Sequence, residues 1–254
     1  MCRFLAYLGD PIYLEQLVCR PRHSLVRQSL QAEESKTVTN GDGFGIGWYG
    51  ERETPGVYRE VMPAWSDENL LSLSATVQSR LFLAHVRAAT GGGIARQNCH
   101  PFHYGRYLFI HNGQVGGYGQ LRRVLESALP DHLYEQRRGA TDSELLFLLI
   151  MAQLQEGMSA PEAMRAVLQH TEALMQARDI KAPLRFAAAL ADGQQIWALR
   201  YASDDAAPTL YLKPQAGGCA VASEPLGDDV EAWRPLGQRQ LAHLQPGRFE
   251  LQPF

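Results

Sequence analysis

The chain has 254 residues, of which 45% are hydrophobic, so it can bury a sizeable core in one large domain or two small ones. Its formal net charge of −3 argues against binding to nucleic acid or to an anionic membrane surface, since both need a basic patch. No apolar run approaches the roughly 20 residues of a membrane helix and no signal peptide is visible, which predicts a cytoplasmic protein.

The first half of the chain alternates short apolar runs with turn residues, a pattern that is typical of β-strands. The predicted strands cover residues 4–8, 45–49, 57–61, 81–86 and 108–111. The spacing of apolar residues predicts helices at 67–77 and 121–129.

The clearest helix signal begins at Thr141. Thr141 and Glu144 have the spacing of a capping box. In this motif the Thr141 hydroxyl accepts the backbone N–H of residue 144, and the Glu144 carboxylate accepts the backbone N–H of residue 141. The apolar run at 145–151 then predicts a buried helix. A second helix is predicted at 161–178, with Pro161 near its first turn.

Beyond these helices the chain returns to strands, predicted at 184–190, 196–201, 209–213, 218–223 and 248–252. Strands, then helices, then strands predict an α+β fold with two sheets packed against helices. No internal repeat or linker marks a domain boundary.

Four cysteines, Cys2, Cys19, Cys99 and Cys219, are too far apart for zinc-site spacing, and we expect no disulfide in a reducing compartment. Cys2 differs from the others because removal of Met1 would make it the first residue. Its thiol would then lie beside a free α-amine, which titrates at roughly 7.7–8.0 and can serve as a base. Taken alone, Cys2 also fits an incidental residue that begins a buried strand.

Two glycine-containing loops could hold a ligand. The segment 40–48 contains four glycines, which allow close approach to a ligand or form a hairpin loop at Asp42-Gly43. Arg87 follows an apolar strand and could pair with a carboxylate, with Thr90 adding a hydroxyl. The alternative is a surface arginine on a flexible loop.

Two further segments offer polar groups. Asn112 and Gly113 follow a strand, where a side-chain amide and a backbone N–H can stabilise an oxyanion, although Asn-Gly is also a strong turn signal. Asp142 lies in the first turn of a helix, where the helix dipole keeps a carboxylate ionised and able to bind an ammonium group. Ordinary capping is the alternative for Asp142.

In their order along the chain, these segments resemble the class II glutamine amidotransferases, which are N-terminal-nucleophile hydrolases. The resemblance rests on Cys2, an Asp-Gly-x-Gly loop, an Arg-x-x-Thr-Gly loop, a His-Asn-Gly strand end and an Asp-Ser-Glu helix start. It extends weakly to Val221-Ala222-Ser223-Glu224. It implies a four-layer αββα sandwich, one glutaminase domain over residues 2–254 without a synthase domain, and no metal or organic cofactor.

The resemblance also implies roles in catalysis. Cys2 would be the nucleophile, with its own α-amine as the base. Asn112 and Gly113 would form the oxyanion hole.

The resemblance implies a substrate-binding set as well. Arg87 would hold the α-carboxylate of glutamine or of a γ-glutamyl group. Asp142 would hold the α-ammonium, with Thr90 assisting, and Asp42 and Gly43 would belong to the loop beside the substrate.

The implied activity is cleavage of the γ-amide of glutamine or of a γ-glutamyl amide through a thioester on the cysteine. The protein could be a glutaminase that docks on a separate synthase subunit. It could instead hydrolyse a larger γ-glutamyl amide, similar to stand-alone relatives that act in ergothioneine synthesis. A catalytically silent module that senses glutamine or regulates a partner is the third possibility.

Overall fold

The computed structural model describes residues 2–34, 38–89 and 91–254. The strands are β1 (Arg3–Tyr13), β2 (Phe44–Trp48), β3 (Gly56–Glu60), β4 (Gln78–Val86), β5 (Phe102–Tyr104), β6 (Tyr107–Gln114), β7 (Arg185–Ala191), β8 (Ile196–Ala202), β9 (Tyr211–Gln215), β10 (Gly218–Ala222), β11 (Arg234–Pro235), β12 (Gln240–Gln245) and β13 (Arg248–Pro253). The α-helices are α1 (Glu15–Val18), α2 (Leu25–Leu30), α3 (Glu68–Thr76), α4 (Tyr118–Glu126), α5 (Asp131–Tyr134), α6 (Asp142–Gln155) and α7 (Ala160–Ala177). Short 3₁₀ turns are Ala64–Ser66, Arg96–Asn98 and Val230–Ala232.

Two antiparallel sheets form the centre of the fold. The first sheet has the strand order β11-β9-β10-β1-β4-β2-β3, and the second has the order β13-β12-β8-β7-β6-β5. In the first sheet β1 lies between β10 and β4, so Leu5 pairs with Ala222 on one side and with Ala84 on the other. The residues from Arg3 onward therefore form a central strand of the first sheet.

Alternation along the strands sends side chains to both faces of each sheet. In β1, Phe4 faces the second sheet, whereas Leu5 packs in the cluster that includes helices α1 to α3. In β6, Ile110 joins the core between the sheets, and Phe109 packs in the cluster that contains α6 and α7. The layers are helix, sheet, sheet and helix, which confirms the predicted α+β class and the four-layer αββα sandwich.

The helix α6 is enclosed by its neighbours. All residues from 143 to 152 are buried, because the helix packs against α4, α5, α7 and β6. This confirms the buried helix that the apolar run predicts. Within the described residues, no helix combines the length and the apolar character that crossing a membrane requires.

The predicted capping box at the start of α6 is only half formed. The Thr141 hydroxyl accepts a hydrogen bond from the backbone N–H of Glu144 at 3.2 Å, as expected. The Glu144 carboxylate, however, accepts the backbone N–H groups of Arg138 and Gly139, at 2.9 and 2.7 Å. Glu144 therefore fixes the preceding turn against the helix, whereas at the start of α7 the Glu162 carboxylate does accept the backbone N–H of Ser159, at 2.9 Å.

The sequence analysis missed the short helices α1, α2 and α5 and the strands β5, β11 and β12. Helices of four to six residues have little stability of their own, and these form because Val18, Leu25 and Leu133 are buried against the rest of the protein. The strand β12 lies between β13 and β8, and its pairing with β8 joins Gln240 to Arg200, which is distant in sequence.

Replacing Phe109 tests the layer between the second sheet and α6. Its ring is fully buried and stacks on Phe147 at a centroid distance of 5.4 Å. We expect Phe109→Ala to lower the free energy of unfolding by about 3–5 kcal/mol, measured by urea denaturation. Leu71→Ala, at a position that is 46% exposed, is the control and should change stability far less. Equal losses in the two variants would contradict the assigned layer.

Candidate active site

A cavity of about 210 Å³ brings together residues from several separate segments of the chain. Of the eight predicted site residues, Cys2, Arg87, Gly113 and Asp142 lie on its wall. These four come from the start of β1, the loop after β4, the strand β6 and the first turn of α6. Thr90 and Met1, on which further predictions fall, lie outside the described residues.

Cys2 is half-buried at the start of β1. Its Sγ lies 3.6 Å from the carbonyl oxygen of Ala88, to which the thiol can donate a weak hydrogen bond. Burial raises the pKa of the Cys2 thiol, and this effect exceeds the opposing effects of the Ala88 contact and of the Arg87 and Arg3 guanidinium groups. A thiol with a raised pKa is mostly protonated at neutral pH, so its use as a nucleophile requires a nearby base.

A buried ion pair behind Cys2 fixes the start of the chain. The Arg3 Nε donates to the carbonyl oxygen of Cys2 at 2.6 Å, and its Nη1 donates to Glu224 at 3.1 Å. Both charged side chains are almost fully buried. One residue further along, the backbone N–H of Phe4 donates to the Ser223 hydroxyl at 3.0 Å. The sequence analysis noted Ser223 and Glu224 only as part of the family resemblance and did not predict this role.

Glu224 accepts several further hydrogen bonds. His23 Nε2 lies 2.8 Å from the carboxylate, and the backbone N–H groups of Glu33 and Glu34 donate to it at 3.0 Å. Burial alone would raise the pKa of Glu224, but these hydrogen bonds and the Arg3 charge together hold it below its ordinary value. The hydrogen bond to Glu224 in turn raises the pKa of His23.

Arg87 is held by its backbone at the end of β4. Its N–H donates to the Gly43 carbonyl at 2.8 Å, and its own carbonyl accepts the N–H of Asp42 at 3.0 Å. The Arg87 Nη2 donates to the Gly91 carbonyl at 3.0 Å. The Nη1 is buried and has no hydrogen-bond partner among the described residues. Arg87 is therefore fixed in place with one guanidinium nitrogen unused, as a carboxylate-binding group would be.

Asp42 and Gly43 do not lie on the cavity wall. The Asp42 carboxylate accepts the backbone N–H of Ala89 at 2.8 Å, which fastens the loop that carries Arg87. Gly43 has a φ of +112°, and a Cβ there would lie 2.6 Å from the Cys99 Sγ. In this geometry both residues hold the Arg87 loop, and direct contact of either with a substrate stays a prediction.

Asn112 and Gly113 lie in β6, with Gly113 on the cavity wall. Asn112 is 1% exposed and follows the alternation that turns Ile110 toward the first sheet. Neither its amide nitrogen nor its oxygen has a partner among the described residues. Cys2 lies two residues before Phe4, whose side chain faces the second sheet. Alternation therefore turns the side chains of Cys2 and Asn112 into the same space, between the two sheets. A side chain at Gly113 would collide with the carbonyl of Arg185.

Asp142 opens α6 and lies on the cavity wall. One of its oxygens accepts the backbone N–H of Val115 at 2.8 Å, and the other accepts the N–H of Ser143 at 2.8 Å. A carboxylate oxygen has more than one lone pair, so Asp142 retains capacity to accept from an ammonium group. The side chain is only half-buried, which leaves it reachable from the cavity.

His111 ties β6 to α6. Its Nε2 lies 3.3 Å from the Arg185 carbonyl, so this nitrogen carries the proton, and Nδ1 accepts from the Ser143 hydroxyl at 2.8 Å. Burial lowers the pKa of His111, and the Asp142 charge opposes this only in part, so the ring is neutral. The sequence analysis gave His111 no role, because its partners are distant in sequence.

Comparison with known proteins decides the family. A family model for class-II glutamine amidotransferases matches residues 22–216, which is more than half of the chain. The chain belongs to the class-II glutamine amidotransferases. The resemblance inferred from the ordered motifs is therefore confirmed.

Two curated relatives differ in how much of their length matches this amidotransferase chain. A probable glutamine amidotransferase of Saccharomyces cerevisiae is 37% identical over 160 residues, which cover 59% of this chain and 45% of that protein. The chain thus spans less than half of the yeast relative. The γ-glutamyl-hercynylcysteine sulfoxide hydrolase of Mycolicibacterium smegmatis is 29% identical over 256 residues, and the match covers 100% of both chains.

Solved structures support the fold of this amidotransferase. A glutamine aminotransferase class-II domain protein from Silicibacter pomeroyi matches with a TM-score of 0.77 and 34% identity, covering 100% of this chain and 99% of that one. Glutamine phosphoribosylpyrophosphate amidotransferase from B. subtilis matches with a TM-score of 0.68 at 16% identity, covering 99% of this chain and 49% of that one. The second likeness concerns the fold alone.

Replacing Glu224 tests the anchor behind Cys2. We expect Glu224→Gln to lower the free energy of unfolding by about 3–5 kcal/mol, because it leaves the buried Arg3 charge without a counter-ion. Asp228→Asn is the control, since Asp228 pairs with Arg22 on the surface, where both side chains are more than three-quarters exposed. Chemical denaturation measures both variants, and a loss in Asp228→Asn as large as in Glu224→Gln would refute the anchor.

His23 should make the stability of this anchor depend on pH. Its folded pKa is raised above the unfolded value of about 6.5, so protonated His23 adds stability below about pH 6.5 that is lost as pH rises through the folded pKa. We expect the difference in unfolding free energy between wild type and His23→Gln to be larger at about pH 6 than at about pH 9. In a Glu224→Gln background this pH dependence should shrink, and a difference that does not vary with pH would contradict the assignment.

Proposed function

We propose that this chain hydrolyses the γ-amide bond of glutamine or of a γ-glutamyl amide, with Cys2 as the nucleophile. The observation that carries the proposal is the single cavity that unites Cys2 with Arg87, Gly113 and Asp142. A γ-glutamyl amide has one carboxylate, one ammonium group and one amide carbonyl. The cavity offers a cation, an anion and a strand-end N–H beside a thiol, which is one partner for each group.

The proposed reaction begins once Met1 has been removed. The α-amine of Cys2 takes the thiol proton, Sγ forms a bond to the γ-carbonyl carbon, and the carbonyl oxygen becomes an oxyanion. The Asn112 amide and the Gly113 N–H donate to that oxyanion, each for about 3–4 kcal/mol of transition-state stabilisation. When the intermediate collapses, the C–N bond breaks and the protonated α-amine gives its proton to the leaving nitrogen.

The second half of the reaction releases glutamate. The same α-amine takes a proton from water, and the resulting hydroxide attacks the γ-glutamyl thioester carbon. The C–S bond then breaks and the thiol is regenerated. Arg87 holds the α-carboxylate and Asp142 the α-ammonium through both steps, with Thr90 assisting.

The leaving group is proposed from the relatives that match over their full length. The Mycolicibacterium smegmatis relative, which matches end to end, carries the name of a γ-glutamyl-hercynylcysteine sulfoxide hydrolase. This favours a γ-glutamyl amide larger than glutamine, cleaved by one cytoplasmic domain that spans residues 2–254. If glutamine is the substrate, a separate synthase subunit that uses the ammonia is the proposed partner.

Covalent labelling tests the nucleophile. The protein is incubated with an electrophilic glutamine analogue, its intact mass is recorded before and after, and the adduct is mapped by peptide. We expect loss of the Met1 mass and one adduct, on Cys2. Cys2→Ala should abolish labelling and turnover. Cys19→Ala removes another half-buried cysteine and should leave both unchanged. Retained Met1 with no adduct would overturn the proposal and favour a silent binding module.

Arg87 and Asp142, the proposed partners of the charged groups of the substrate, should contribute to substrate binding more than to the chemical steps. We expect Arg87→Gln and Asp142→Asn each to raise KM by a factor of about 30 or more, which corresponds to about 2 kcal/mol or more from a lost charged contact. Steady-state kinetics with glutamine separate KM from kcat. A fall confined to kcat in both variants would contradict the binding roles.

A further inference from the structure

His100 is a polar residue of the cavity wall to which the reaction described above gives no role. His100 lies on this wall and is only 3% exposed. Its ring packs against His85 at a centroid distance of 4.1 Å and against Phe102 at 4.5 Å. Neither ring nitrogen of His100 has a hydrogen-bond partner among the described residues. A buried imidazole without partners is costly unless a ligand supplies them.

His100 is neutral in this setting. Burial lowers its pKa well below the ordinary histidine value, and the positive charge of protonated His85 or His111 and of Arg87 would lower it further. A neutral imidazole has one N–H donor and one nitrogen acceptor. His100 therefore brings a hydrogen-bond acceptor without a partner to the cavity wall.

A count of donors and acceptors identifies the group that this acceptor fits. In the proposed complex the α-carboxylate pairs with Arg87, the α-ammonium with Asp142, and the γ-carbonyl oxygen with the oxyanion donors. The N–H of the scissile amide then remains without an acceptor.

Two other polar side chains of the wall have their acceptor atoms engaged. The His111 acceptor nitrogen is taken by the Ser143 hydroxyl. The Tyr118 hydroxyl donates to the Thr141 carbonyl at 3.2 Å and accepts from Arg137 at 2.8 Å.

We propose that His100 is a substrate-binding residue whose ring nitrogen accepts a hydrogen bond from the N–H of the scissile γ-amide. The contact would orient the leaving nitrogen while the C–N bond breaks, and it would make the site selective for amides over esters. This inference rests on the proposed hydrolysis of γ-glutamyl amides.

A pair of substrates that differ only at the leaving atom tests the contact. Glutamine carries an N–H on the leaving atom, whereas the γ-methyl ester of glutamate carries none. His100→Phe keeps a planar ring against His85 and removes both nitrogens. We expect it to lower kcat/KM for glutamine about tenfold more than for the ester, the effect of one hydrogen bond in a dry site. His100→Gln, which restores an acceptor, should recover part of the amide-to-ester ratio.

The controls separate this inference from the function on which it rests. His103→Phe changes an exposed histidine close in sequence and should leave the amide-to-ester ratio at the wild-type value. Because one sample cleaves both substrates, the ratio does not depend on the fraction of folded variant. Equal losses on amide and ester, or no loss on either, would overturn the role of His100 and leave the proposed function intact. A wild-type protein that cleaves neither of these substrates nor a larger γ-glutamyl amide such as γ-glutamyl-p-nitroanilide would instead overturn the proposed function.

Discussion

The buried ion pair between Arg3 and Glu224 is the interaction on which the geometry of the site depends. The first residues of most chains are poorly ordered unless they are tied down, yet here Cys2 lies on the wall of the cavity. Burying two charges is costly unless they are well paired and hydrogen-bonded. Glu224 meets this condition, because it pairs with Arg3 and accepts hydrogen bonds from His23 and two backbone N–H groups. Arg3 in turn donates to the carbonyl oxygen of Cys2 and so holds that residue in place.

Antiparallel pairing then places Arg87 and the Asp42-Gly43 loop at the same end of the first sheet as Cys2. Arg3 pairs with Val86, so the start of β1 lies beside the end of β4, from which Arg87 follows. Phe44 also pairs with Val86, which puts the Asp42-Gly43 loop at that edge. The second sheet is joined to this edge where His85 Nε2 lies 3.3 Å from the His111 carbonyl. The cavity is thus a consequence of strand direction: Cys2 precedes β1, Arg87 follows β4, Gly113 lies near the end of β6, and Asp142 begins α6.

The sequence predicts the layers better than it predicts the contacts of the site. Apolar alternation and turn residues predict most of the long strands and the buried helix α6, because these depend on neighbours in the chain. Cys2, Arg87, Gly113 and Asp142 are predicted because each chemistry can be read from a local motif. The pairing of Arg3 with Glu224 joins residues 221 positions apart, and no local pattern reports it. The same limit applies to the bond between the Asp42 carboxylate and the Ala89 N–H, which joins residues 47 positions apart and supports the loop that carries Arg87.

The charge pattern of the cavity follows from what burial does to its histidines. Burial lowers the pKa values of His100 and His111 on the wall, and that of His85, which packs against His100, to about 3, so all three rings are neutral at neutral pH. A protonated ring here would repel both Arg87 and the ammonium group of an incoming substrate, and would compete with that ammonium for Asp142. With the three rings neutral, Arg87 and Asp142 are the charged side chains on the described part of the wall. One cation and one anion match the head of an amino acid, and in the proposed complex the uncharged His100 ring is left to act through a hydrogen bond.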